Sequence, residues 1–139
     1  MDKKFNILKI DHIAVAVNDI EKSVNVFDLL GMKSKNLEYI KNEKVKVLKL
    51  HPESVDHAIE LLEPTDSSST IQKFLDSKGQ GLHHIALEVD DICDAIKYLE
   101  YNNVKMIYSE PRIGSDKKKI TFIHPSSTPG ILIEICQTS

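Results

Sequence analysis

The feature that most constrains this chain is that it says the same thing twice. Residues 11–21, DHIAVAVNDIE, and residues 83–93, HHIALEVDDIC, align so that His12 pairs with His84, Ile13 with Ile85 and Ala14 with Ala86. Val17, Asp19 and Ile20 then fall on Val89, Asp91 and Ile92. A match that occurs only twice, 72 residues apart, has too long a period for a solenoid and predicts two copies of one supersecondary module.

Each copy opens with a β-branched run that reads as a strand, at 8–17 and 83–89. Asn18-Asp19 and Asp90-Asp91 follow, side chains suited to capping a helix amino terminus. Ile20, Val24 and Phe27 in one copy, and Ile92, Ile96 and Leu99 in the other, keep helical spacing, with Gly31 as a stop for the first helix. Three further strands are expected in each copy: near 33–40, 44–50 and 57–63, then near 104–108, 118–124 and 130–136. HPESVD (51–56) and HPSSTPG (124–130) are the corresponding turns. The predicted fold is α+β: two tandem βαβββ modules in a curved eight-stranded mixed sheet around a metal-binding cleft, helices on the outer face. A single domain over 1–139 is expected, with module one at about 8–64, module two at about 81–139 and a linker at about 65–80. That linker carries a short helix around 70–77.

Strand parity sorts the side chains. In 8–17, His12, Ala14 and Ala16 share one face, and Ile13, Val15 and Val17 the other. The bulky face is expected to pack on helices, leaving the histidine–alanine face as a cleft floor. The last strand of each copy then carries an acid among apolar residues: Glu60 in HAIELLEP and Glu134 in ILIEICQ. His12 precedes Glu60 by 48 residues, and His84 precedes Glu134 by 50. Burying a lone carboxylate is expensive, so such an acid is exposed, paired or bound to a cation. Repetition of both residue types at matched spacing points to a metal site built from His12, Glu60, His84 and Glu134. Two imidazoles and two carboxylates nearly balance a divalent first-row ion, and an octahedral ion keeps two positions for substrate oxygens. A His-His-Glu set alone would suggest an iron oxygenase, and Glu60 argues against that.

The remaining signals narrow the classes. A net charge of −3 gives no reason to expect nucleic acid or an anionic membrane as partner. No apolar run reaches the roughly 20 residues of a membrane span. MDKKFNILKI is too polar for a secretory signal, which predicts a cytoplasmic protein. Cys93 and Cys136 form no CxxC spacing and suggest no disulfide framework. His83 faces away from His84 and reads as a packing residue; His51, His57 and His124 read as exposed; SDKKKI (115–120) reads as a solvated turn.

DHIAVAV, IELLEP, GLHHIALEV and FIHPSSTPGILIEI, in that order, resemble the strands of the vicinal oxygen chelate (glyoxalase/bleomycin-resistance/dioxygenase) superfamily. Within it the chain most resembles the methylmalonyl-CoA epimerases, through the doubled histidine and the HP before the last strand. The resemblance implies an isomerase exchanging (R)- and (S)-methylmalonyl-CoA, an acyl-CoA substrate, one divalent metal (Co, Mn, Ni or Zn) per chain and a homodimer. It implies the metal ligands His12, Glu60, His84 and Glu134, where some epimerases have Gln in place of Glu60. Glu134 is then one acid/base as well. The position of the family's second acid/base falls on Asn42 in YIKNEKVKV, which cannot serve as a base, and Glu43 beside it is the candidate. Two rivals share the fold: a glyoxalase I-like lyase acting on a thiol hemithioacetal, and a non-catalytic binder of a small molecule.

Overall fold

A computed structural model describes residues 1–55 and 57–138, so the end of the expected 51–56 turn lies outside the described residues. The chain divides into two compact units, one of His12–His83 and one of Met1–Asp11 with His84–Ser139. Strand β1 (Ile7–Ala16) gives its first half to the latter and its second half to the former.

In the His12–His83 unit, β1 leads into α1 (Ile20–Ser23) and α2 (Asn25–Leu29). β2 (Lys33–Ser34), β3 (Glu38–Ile40), β4 (Val45–His51), β5 (Ala58–Pro64) and α3 (Thr70–Lys78) follow. The strand order is β2-β4-β5-β1, with β3 also on β4. The one strand expected over 33–40 is two, because the pairing slips. Ser34 opposes Leu50 while Glu38 opposes Val47, so three residues on one side face two on the other. That extra residue is a bulge, which bends the strand and shifts its parity. The single helix expected after Asp19 is likewise broken at Val24.

The two faces of β1 and β5 differ from expectation in one respect. Val15 and Val17 do pack on the helix side, with Ile20, Val24, Phe27, Leu50 and Leu61. Ala14 and Ala16, expected on a cleft floor, are instead fully buried in a core with Val45, Val47, Leu62 and, from α3, Ile71 and Leu75. The linker helix covers that face. Small side chains there reflect a close-packed helix above them, and only the His12 end of the row is polar.

In the other unit the order is β1, then β6 (Gly81–Val89), β9 (Ile133–Gln137), β8 (Lys119–Ile123) and β7 (Arg112–Ile113), with α4 (Ile92–Tyr101) packed alongside. Val89, Ile92, Ala95, Ile96, Ile123 and Ile135 form its core. The strand expected near 104–108 reduces to one bridge, Met106 with Ile123, and β7 stands in its place ahead of β8 and β9. The helix expected around 70–77 is α3, nearly residue for residue.

The repeat extends to the helix starts. Asp19 accepts from the backbone N–H of Lys22 and Asp91 from that of Asp94. Glu63 Oε1 accepts from the Ile20 N–H, and Gln137 Oε1 from the Ile92 N–H, each at 2.8 Å. These contacts satisfy amides that a helix cannot pair internally.

Candidate metal and acid–base site

Register fixes where the predicted ligands stand. Parallel pairing of β1 with β5 sets Ala14 opposite Glu60, and parallel pairing of β6 with β9 sets Ala86 opposite Glu134. The histidine two residues earlier then shares a face with the glutamate in each case. His12 Nε2 lies 3.5 Å from Glu60 Oε1, and His84 Nε2 lies 3.1 Å from Glu134 Oε1. All four side chains are buried. Each unit thus contains one His–Glu pair, made by the same ring nitrogen and the same local register.

These pairs fit a divalent ion. Donors about 2.1 Å from a metal and at right angles to one another stand roughly 3 Å apart, close to the separations within each pair. Imidazole nitrogen with carboxylate oxygen is a donor set that first-row metals accept, and His12, His84 and Glu134 each offer a buried ligand atom.

Glu43 ends the 3-10 turn Lys41–Glu43, ahead of Lys44, whose φ of 54° is left-handed. Strand alternation does not apply inside such a turn, so a one-residue offset from Asn42 does not reverse the direction of the side chain. Asn42 is exposed and Glu43 half-buried.

Two charged residues at these sites carried no signal that the sequence reading used. Lys49, opposite Glu60 in the β4–β5 ladder, is buried with its Nζ 3.4 Å from Glu60 Oε2. Its signal was available: it shares parity with the core residues Val45 and Val47. Asp11, also buried, lies 2.8 Å from Lys118 Nζ, a pairing across 107 residues that no local pattern discloses. Lys118 is therefore tied down, while Ser115–Lys117 form the hairpin's 3-10 turn and Lys119 and Ile120 begin β8. His83 meets Phe74 edge-on at 5.0 Å, the packing role expected of it. His124 is half-buried and accepts from the Ser126 N–H, capping the 3-10 turn Pro125–Ser127. Burial, with Glu134 and Asp11 adding to it, pushes the Cys136 thiol up, which suits a packing residue.

The paired modules and their matched His–Glu pairs define a class, and comparison with known proteins identifies it. Residues 11–122 match the Glyoxalase/Bleomycin resistance protein/Dioxygenase superfamily, and the chain belongs to it. Among its relatives is the mitochondrial methylmalonyl-CoA epimerase of Dictyostelium discoideum, 34% identical over 95% of this chain and 80% of that one. Among solved structures, the methylmalonyl-CoA epimerase of Mycobacterium tuberculosis is 30% identical, with a TM-score of 0.91 over 96% of this chain and 89% of that one. A methylmalonyl-CoA epimerase in complex with methylmalonyl-CoA and NH4+ is 31% identical, with a TM-score of 0.89 over 96% of both chains. The resemblance read from the strand motifs, the α+β class and the epimerase assignment are borne out. Among the described residues, no helix is long and apolar enough to cross a membrane.

Proposed function

We propose that the chain is a metal-dependent epimerase that interconverts (R)- and (S)-methylmalonyl-CoA. In this reading the two modules act as one domain, and His12, Glu60, His84 and Glu134 surround one divalent ion. The observation that carries it is the recurrence of one buried His–Glu pair at equivalent register in each module. Similarity to named epimerases over almost the whole chain supports the substrate class.

When bound, the ion supplies Lewis-acid stabilisation of negative charge developing on the thioester oxygen. The chain's own residues move the proton. Glu134 takes the proton from the carbon between thioester and carboxylate, and the electron pair of the broken C–H bond passes to the thioester carbonyl. Glu43, as the carboxylic acid, then delivers a proton to the opposite face of that carbon. Two groups are required, because one base returning its own proton to the same face restores the starting epimer. The protein acts as a homodimer in this reading.

The test follows the substrate α-proton by NMR in D₂O with metal-loaded protein. Wild-type protein is expected to exchange that proton and interconvert the epimers. Glu134→Ala is expected to lose both. Glu43→Gln is expected to slow interconversion by about 10²-fold or more while one epimer still exchanges. Stoichiometric metal with no exchange sinks the epimerase reading; turnover of a hemithioacetal instead would favour glyoxalase chemistry.

A further inference from the structure

The two modules agree in backbone register but not in what stands opposite the paired glutamate. In the second module that position is Phe122, opposite Glu134 in the β8–β9 ladder, with its ring edge-on to His84 at 5.5 Å. In the first module it is Lys49, opposite Glu60 in the β4–β5 ladder. The Lys49 side chain is buried, its Nζ 3.4 Å from Glu60 Oε2, while Glu60 Oε1 is the oxygen near His12. One His–Glu pair is thus backed by an aromatic ring and the other by a fixed cation.

We infer that Lys49 is a positioning residue that competes with the metal for Glu60. This rests on the metal site proposed above. The ammonium holds one carboxylate oxygen, leaves the other as a single donor beside His12, and cancels one unit of the negative charge that a divalent cation would meet. The first-module arm of the site is therefore the weaker one, and Glu60 the ligand that yields most readily to a substrate oxygen. The internal repeat makes the point sharper: the equivalent position of the second module, Phe122, is apolar.

The experiment is Mn²⁺ titration at low ionic strength, with free Mn²⁺ read by electron paramagnetic resonance. Removing a buried cation 3.4 Å from a ligand carboxylate strengthens cation binding at that carboxylate steeply. Lys49→Met, and Lys49→Gln as a second neutral variant, are each expected to bind Mn²⁺ about tenfold tighter or more. Lys49→Arg keeps the charge and is expected to stay within about threefold of wild type. Lys49→Met combined with Glu60→Gln removes one charge of each sign and is expected to lose the gain. Circular dichroism confirms that each variant is folded. Unchanged or weaker Mn²⁺ binding in folded neutral variants overturns the inference and leaves the metal site standing. Absence of stoichiometric Mn²⁺ from wild-type protein overturns the metal site and the role of Lys49 together.

Discussion

Asn6 donates twice to Asp90, from its backbone N–H at 2.7 Å and from Nδ2 at 3.0 Å. These bonds, the backbone one first, hold the Asp90 carboxyl below its ordinary value. A lowered folded-state value means the stabilisation is fully present above about pH 4, the unfolded carboxylate range, and is lost as pH falls through the lowered value. Asp90→Asn is therefore expected to lower the melting temperature at pH 7, with the difference closing in acid; a gap that stays constant from pH 7 to pH 2 contradicts this. The two cysteines differ in the same residue-level sense. Cys93 is exposed and Cys136 buried, so native protein is expected to take up one equivalent of iodoacetamide at pH 8, at Cys93, and a second only on unfolding. At this scale the sequence disclosed the ligand types well, because a histidine and a glutamate recurring at matched spacing need no structure to be noticed. It disclosed their companions poorly. Lys49 is defined by a partner on the neighbouring strand and Asp11 by Lys118 just ahead of β8, and adjacent-residue patterns do not carry such distances.

Helix caps and turns belong to the scale of elements. Asp91 closes the first turn of α4, and Asp91→Ala is expected to cost about 1 kcal/mol, measured by urea unfolding. Gly114 sits against Ile120, where an added Cβ would come within 2.8 Å of Ile120 Cδ1 and 3.0 Å of Cγ2. Ile120 is buried and opposes Arg112 in the β7–β8 hairpin. Gly114→Ala is therefore expected to destabilise by about 1 kcal/mol, and a neutral result by the same assay would show that the hairpin yields freely. Elements were legible where period and cap agreed, as in α4. They were misread where a single residue altered the pairing. The bulge after Ser34 splits one expected strand, and residues 104–108 keep an apolar pattern but pair through an isolated β-bridge, Met106 with Ile123, rather than as a strand. The alanine face of β1 was misread for a different reason. Small residues mark close approach equally well whether a ligand or a helix approaches, and α3 comes from a linker whose docking the local pattern does not specify.

The whole molecule repeats a module, and the repeat is what makes the superfamily readable in the sequence. Register carries it further than residue identity: Ala14 opposes Glu60 as Ala86 opposes Glu134, and Glu63 and Gln137 perform the same helix-start contact with different chemistry. β1 also leaves Leu8 and Ile10 exposed on one face and Ile7 on the other, apolar area that a second copy would cover. The homodimer reading is expected to appear as a single dimeric species in sedimentation velocity and to be weakened by Ile10→Asp. The central claim is that two module-borne His–Glu pairs hold one ion. The most direct measurement is metal content per chain, by mass spectrometry after equilibrium dialysis against Mn²⁺, for wild type, His12→Ala and His84→Ala. One ion per wild-type chain, falling below about a tenth in either variant, is the expected result, since each histidine serves the same ion. Two ions per wild-type chain, or one ion surviving in either variant, would contradict it.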